Sequence, residues 1–558
     1  MTQTYSAAWR AARKPSTSST VALYLASLLL VLPILAIVVL ALRSGPGSWT
    51  HLASTVLPQY LVTTALLLVG VGALTFLIGT GAAWLVTYYR FPFDRALGWI
   101  LITPLAMPLY IVAFVYVDLL EYAGPVQGAL RAAFGWRTPA DYWFPAIRSL
   151  PGAIVVMSLV LYPYVYAITR ASFARQSAAQ IEVARALGRT SWGAFLAVGL
   201  PLARPSIVVG LSLALMECLN DIGAVDFFGV RTLALGVYTT WLGRGDLGAA
   251  AQIALTLLAI SVGLLWLERS ARRGTSASSA RTKQHPPARK LLHGWRALAA
   301  TAACALPVVL GLVVPVLYLL SAALRRLDSD LTARFFAAAA SSVTLALAAA
   351  IATAAIALLL VYARRRVGHW TADTAVSLAG MGYAMPGTVL GLGLIVPLST
   401  FDNTLASFLR ANVGIDVRLL LTGSLFAVLL GYTIRFLTIS LGSIEAGRER
   451  ITGSISAAAR TLGRSDFEVF REIHLPLLRP AIVSAMLLVF VDCMKELPAT
   501  LILRPFGLNT LATMVFENVS LGQIEDSALA ALAIVLVGLL PIKLLATNLG
   551  AALPNLKS

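Results

Sequence analysis

Apolar residues run along this chain in blocks of about twenty, each long enough to cross a bilayer core, separated by short polar segments rich in Arg, Gly and Pro. After a polar opening, 1–20, with Arg10, Arg13 and Lys14, the first block covers 21–42, and five more fall at 59–86, 98–120, 149–169, 205–226 and 247–267. Residues 268–295 interrupt the series with Arg269, Arg272, Arg273, a Gly-Thr-Ser-Ala-Ser-Ser run, Pro286 and Pro287, the composition of a linker. Blocks resume at 296–320, 336–362, 375–398, 419–441, 480–502 and 526–548. The pattern predicts an all-α membrane protein of about twelve transmembrane helices. The first block ends without a small-residue cleavage signature, so it reads as a retained helix rather than a removed leader.

The two sets of six are copies. Glu182-Val-Ala-Arg-Ala-Leu-Gly188, followed thirteen residues later by Pro201, returns as Ala457-Ala-Ala-Arg-Thr-Leu-Gly463 with Pro476, an offset of 275. Ala106-Met107-Pro108 matches Ala384-Met385-Pro386, and Thr232-Leu233-Ala234 matches Thr510-Leu511-Ala512, both at an offset of 278. Six spans per copy leave both in the same orientation, as parallel repeats about an axis along the membrane normal. The expected organisation is therefore a first repeat, 1–267, a cytoplasmic linker, 268–295, and a second repeat, 296–558.

Charge orients the chain. With both termini cytoplasmic, more than twice as many Lys and Arg fall inside as outside, the positive-inside bias. The motif segments 170–204 and 442–479 then face the cytoplasm. Exterior segments such as 121–148 and 399–418 are too short to form a substrate-capturing domain, which must be another chain.

Composition agrees: 58% hydrophobic and 12% charged residues need lipid as solvent, because soluble domains carry roughly 25% charge. The net charge of +18 is spread over short inter-span segments rather than gathered on one basic face, which argues against nucleic-acid binding. Cys218, Cys304 and Cys493 lie in apolar runs and read as reduced core residues. The five histidines are scattered without metal-ligand spacing, which argues against a membrane enzyme.

In each motif segment a short helix ends at a glycine and a second ends at a proline. Such a surface helix pair can enter a groove on a partner and pass on its movement; the plainer alternative is a pair that caps the bundle. There is no Gly-x-x-x-x-Gly-Lys-Ser/Thr sequence, so nucleotide hydrolysis must come from separate chains and this chain itself binds no cofactor. Just beyond each segment the next span carries two carboxylates at i,i+4: Glu217 and Asp221 beside Asn220, and Asp492 and Glu496 beside Lys495. Glu217 lies about 18 Å along a helix from Pro205, deep in a core of about 30 Å. Carboxylates there should face a wet cavity, the other repeat or Lys495; helix-packing ion pairs are the alternative.

These loops resemble the EAA loop of binding-protein-dependent ABC importer permeases, whose pattern is a Glu-Ala-Ala-like start, Gly at the seventh position and Leu-Pro thirteen residues later. Both copies keep the Gly and the Leu-Pro, Leu200-Pro201 and Leu475-Pro476. Asn220-Asp221-Ile-Gly-Ala-Val-Asp226-Phe-Phe-Gly and Lys495-Glu496-Leu-Pro-Ala-Thr, over nearly the whole chain, look like the fused permeases of ferric iron ABC importers. The resemblance implies a type I importer permease fold in a bacterial inner membrane, two ATPase subunits on the loops, a periplasmic binding protein, and ATP consumed by the partners. Glu182, Ala184, Arg185, Gly188 and Pro201, with Ala457, Arg460, Gly463 and Pro476, would be the ATPase-coupling residues. Glu217, Asn220, Asp221, Asp492, Lys495 and Glu496 would line the path, the four carboxylates making transient contacts with Fe(III), a hard cation suited to oxygen ligands. Ala457 departs from the pattern by lacking the glutamate, which puts equal coupling of the two loops in question. Alternatives are a permease for thiamine, phosphonate or another small solute, or a secondary transporter with two six-helix repeats.

Overall fold

A computed structural model describes residues 17–539 apart from 44, 177–181, 185, 276–288, 368–369 and 416–418. Among these, eleven helices are long and apolar enough to cross a membrane: Leu23–Arg43, Leu57–Tyr88, Leu109–Phe134, Leu150–Ala174, Trp192–Asn220, Leu247–Ala271, Trp295–Arg326, Ala333–Arg364, Gly387–Val413, Leu425–Glu449 and Asp466–Met494. The expected twelfth span, 526–548, follows the 3₁₀ turn Glu525–Ser527 as helix over 528–539, and 540–548 lie outside the described residues. Helices close every backbone hydrogen bond within the segment, which is what hydrocarbon demands.

The helix Leu57–Tyr88 shows how lipid reverses the usual pattern. Its outward face carries Val62, Leu66, Val69 and Leu77, whereas its buried face carries Thr64, Leu67, Val71, Thr75 and Gly79 at helical spacing. Small residues on the inner face let backbones approach without losing dispersion contacts. A Cβ on Gly79 would sit 2.8 Å from Val165 Cβ and 2.9 Å from the Tyr162 carbonyl. Gly210 meets the same helix from Leu200–Asn220, where a Cβ would lie 2.8 Å from Val165 Cα.

The spans expected at 98–120 and 375–398 are interrupted. Asp94–Ile100 and the 3₁₀ turn Thr103–Ala106 lead to Met107 in extended conformation (ψ 120°) and to Pro108 as N-cap of Leu109–Leu120. Trp370–Ala379, Gly382–Ala384, Met385 (ψ 119°) and Pro386 repeat the arrangement before Gly387–Val413. Proline disfavours the α conformation at the preceding methionine, and the same Met-Pro pair marks the break in both copies.

The chain packs as two units, one of Met1–Arg43 with Phe336–Thr510, the other of Ser44–Phe335 with Leu511–Ser558. Packing boundaries thus differ from repeat boundaries: the first helix of each repeat lies with the bulk of the other. In the first unit, Gly393 accepts Pro33 so closely that a Cβ would fall 2.5 Å from the Pro33 carbonyl oxygen. In the second, Gly311 meets the Leu159 carbonyl oxygen at a corresponding 2.4 Å, and the Tyr116 hydroxyl donates to the Leu310 carbonyl at 2.7 Å. The expected linker, 268–295, has structure at both ends, and its centre, 276–288, lies outside the described residues. The helix Leu247–Thr275 extends into it, and its far end returns as Lys290–Leu291, pairing in parallel with Tyr89–Arg90. Arg289 fixes that end by donating to the Val86 carbonyl at 2.7 Å and pairing with Asp94 at 2.5 Å.

Candidate functional site: paired loops and broken helices

Gly188 (φ 84°) and Gly463 (φ 83°) both adopt the left-handed conformation that ends a helix. The Arg189 N–H reaches back to the Ala184 carbonyl at 3.1 Å, and the Arg464 N–H to the Ala459 carbonyl at 3.1 Å. Each is the six-to-one bond of a Schellman turn, so the expected glycine stop is present in both copies. The following short helices start at Thr190 and Ser465. Thr190 Oγ1 accepts from the Gly193 N–H at 3.1 Å, and Ser465 forms a full capping box with Glu468.

Both short helices then widen into a π turn, Phe195–Gly199 and Val469–His474, before Leu200-Pro201 and Leu475-Pro476 open the long helices Leu200–Asn220 and Leu475–Met494. Proline lacks the N–H that an α-helical ladder needs and its ring crowds the carbonyl four residues back, which a wider turn relieves.

What the loops expose is matched. Leu187 and Leu462 are 79% and 82% exposed, and Trp192 and Phe467, at the same 275-residue offset, are 54% and 65% exposed. Of the predicted coupling residues, Glu182 is exposed, Ala184 buried and Ala457 half-buried, while Arg185 lies outside the described residues. Pro201 is half-buried and Pro476 exposed. Arg460 pairs with Asp466 at 3.1 Å inside its own loop. Position 191, the counterpart of Asp466, is a serine, so the first loop lacks the carboxylate of that pair.

Sequence reading missed the groups that tie each loop to its bundle. In one unit Gln176 Nε2 donates to the Gly199 carbonyl at 2.9 Å and its Oε1 accepts from Tyr88 at 2.8 Å, beside the rings of Trp84, Trp192 and Phe195. In the other, His474 bonds Ser456 at 2.8 Å, and the Tyr362 ring packs on Phe470 and His474 with the Arg448 guanidinium above it. Aromatic residues at the loop-side ends of spans were the available signal. No periodicity relates them, because their partners come from other helices.

The carboxylates beyond the loops do not share a continuous helical face, which corrects the i,i+4 reading. Leu200–Asn220 ends before Asp221, whose backbone is extended (ψ 110°) and whose Oδ1 accepts from the Ala224 N–H at 2.6 Å as N-cap of Ile222–Phe227. Leu475–Met494 likewise ends before Glu496, whose Oε1 accepts from the Ala499 N–H at 3.0 Å at the start of Pro498–Leu503. Each spanning helix is thus broken at the same place, and the second carboxylate organises the short helix after the break. Glu217 and Asn220 are half-buried on the helix before it. Asp492 pairs with Lys495 at 2.8 Å, each about a quarter exposed. Among the described residues no group of three or more His, Cys, Asp or Glu forms a metal-binding cluster.

Residues 75–275 match the family described as "Binding-protein-dependent transport system inner membrane component". Over 539 residues the chain is 25% identical to a Haemophilus influenzae protein named Fe(3+)-transport system permease protein FbpB 2, covering 96% of this chain and 98% of the relative. It is 28% identical over 207 residues to the putative 2-aminoethylphosphonate transport system permease protein PhnU of Salmonella paratyphi A, covering 36% of this chain and 70% of that one. Similarity to PhnV of the same organism is 32% over 156 residues, 28% of this chain and 52% of that one.

Proposed function

From the membership of residues 75–275 in the family of binding-protein-dependent transport system inner membrane components, we propose that this chain is the fused permease of an ATP-driven importer for ferric iron. As a transport permease it forms the membrane-spanning part of the system and is not an enzyme. The observation that carries the coupling role is the pair of matched loops, each a helix stopped by a left-handed glycine and presenting one exposed leucine and one exposed aromatic ring. Apolar side chains exposed together on a helix pair are suited to a groove on a partner. Two ATPase subunits would dock there, one per loop, and a periplasmic binding protein would deliver substrate on the opposite side, both termini being cytoplasmic.

The mechanism follows from the way the loops are built. A push on Leu187 or Leu462 passes through a Schellman turn and a capped short helix into a π turn continuous with a spanning helix. That helix ends at a break organised by Asp221 or Glu496. Movement of the loop by the ATPase is thereby delivered to the break, and alternating exposure of the path to the two sides follows. Glu217, Asn220 and Asp492, on the helices that lead to the breaks, are the oxygen donors a hard trivalent cation would meet in transit.

Iron as substrate is supported by the full-length relative named for Fe(3+) transport. A phosphonate is the second reading, supported by the relatives PhnU and PhnV. Proteoliposomes containing this chain, an ATPase subunit and a binding protein decide between them. ATP-dependent accumulation of radiolabelled ferric iron, with none of 2-aminoethylphosphonate, is expected. The reverse pattern overturns the substrate, and accumulation without any ATPase overturns the importer in favour of a secondary transporter.

A further inference from the structure

Arg435 stands in the middle of an apolar span, Leu425–Glu449, and its side chain is 5% exposed. A charged group at that depth is costly and persists where it is paired. Its Nη1 lies 3.7 Å from Glu496 Oε1, a carboxylate 3% exposed that also accepts the Ala499 N–H. The fit around them is close. A Cβ on Gly387 would fall 2.8 Å from Glu496 Oε1 and 2.9 Å from Arg435 Nη1, so glycine here opens the start of Gly387–Val413 to the pair. The Tyr432 hydroxyl and Thr500 Oγ1 bond at 2.6 Å, and Thr500 Oγ1 donates to the Glu496 carbonyl at 3.1 Å. Three helices thus meet on one ion pair.

The other repeat is built differently. At the offset of 275 that aligns Leu150–Ala174 with Leu425–Glu449, the counterpart of Arg435 is Val160, which is buried, and Asp221 is half-buried. In the first repeat Asp221 caps the helix after the break, and in the second Glu496 accepts the Ala499 N–H and also faces a buried arginine.

We propose that Arg435 is a positioning residue of transport: through Glu496 it fixes the helix break at 495–497 onto Leu425–Glu449, so that these elements travel as one body when access changes sides. The proposal rests on the permease reading, and its test separates the two. Hydrogen exchange of the purified full chain in lipid nanodiscs, with no partner present, reads the lock directly. Transport and ATP hydrolysis in proteoliposomes with the ATPase and binding protein read its use.

Removing one member of a buried pair leaves the other charge uncompensated, whereas removing both is tolerated far better. In Arg435→Met the amides of 499–503 are expected to exchange about tenfold faster or more, with those of 222–227 unchanged. Substrate moved per ATP hydrolysed is expected to fall at equal membrane abundance. The double variant Arg435→Met, Glu496→Gln is expected to recover much of both losses. Unchanged exchange at 499–503 in Arg435→Met overturns the lock. Faster exchange with an unchanged ratio of substrate to ATP overturns the positioning role and leaves a structural one. Failure of the unaltered protein to transport falls on the permease reading alone, and the exchange data then decide the lock by themselves.

Discussion

Gly188 and Gly463 allow a test in which backbone and space give opposite orders. Both sit at φ near +84°, and a Cβ added at either meets nothing within 4 Å. Alanine therefore introduces no clash within this chain, only the cost of holding an L-residue in the left-handed region, about 1–2 kcal/mol. That cost lowers the population of the correctly bent loop by about 5–30-fold, and asparagine, which tolerates this conformation better, loses less. ATP-driven uptake in proteoliposomes, normalised to permease content, should rank Gly above Asn above Ala at either position. The double variant Gly188→Leu, Gly463→Leu should abolish uptake while the protein remains in the membrane at normal abundance. Ala equal to or better than Asn would mean that the glycine makes room for a partner rather than a bend. Normal transport by the double leucine variant would remove the loops from coupling altogether.

Glu217→Gln together with Asp492→Asn should reduce ferric iron uptake without changing co-purification of the ATPase; unchanged uptake sinks their place on the path, and loss of folded protein makes them packing ion partners. Asp221→Asn should be nearly silent in hydrogen exchange at 222–227, because asparagine caps a helix as well as aspartate, and fast exchange there would contradict the cap. Gly79→Leu should cost at least about 1–3 kcal/mol by overpacking against Val165 and Tyr162, read as a lower midpoint of thermal unfolding, with an unchanged midpoint refuting the close approach. Glu182→Ala should weaken stimulated ATP hydrolysis and Ala457→Glu should be tolerated; equal, negligible effects would leave coupling to loop shape alone.

Spans and loops were legible because their causes are local. A bilayer fixes the length of an apolar run, and the left-handed glycines Gly188 and Gly463 each stop a helix. The expected second stop at the proline is absent, because Pro201 and Pro476 lie within helices that run on through a π turn, Trp192–Asn220 and Asp466–Met494. The Met107-Pro108 and Met385-Pro386 breaks were visible as a repeat, but nothing in the apolar pattern said that they interrupt a span. The carboxylates misled for a related reason. Helical spacing was carried through Asn220 and Lys495, whereas Asp221 and Glu496 cap new helices, an outcome set by competition between cap and helix at one residue. Arg435 was not singled out at all, since its partner lies 61 residues away, in the break beyond another helix. The exchange of first helices between packing units is tertiary in the same sense, because Pro33 and Gly393 carry no mark of each other in sequence.

Divergence between the repeats is uneven, and the unevenness is informative. In a symmetric homodimer one sequence must serve both positions; fusion removes that constraint, and each residue is free to adapt to its own surroundings. Inside the bundle the copies have used that freedom: Val160 stands where the other has Arg435, and Gln176 with Tyr88 holds one loop where His474, Ser456 and Tyr362 hold the other. At the exposed loop surface they have not. Gly188 and Gly463 agree within a degree in φ, Leu187 and Leu462 are exposed alike, and an aromatic ring follows five residues later in both. Two surfaces that keep one shape while their supports diverge are expected to meet one shape of partner. A single kind of ATPase subunit should therefore serve both loops, binding at two copies per chain. Mass measurement of the assembled complex, formed with one purified ATPase, reads the ratio directly. One copy per chain at saturation, or a requirement for a second and different ATPase, would mean that differences such as Glu182 against Ala457 and Ser191 against Asp466 distinguish the two docking sites after all.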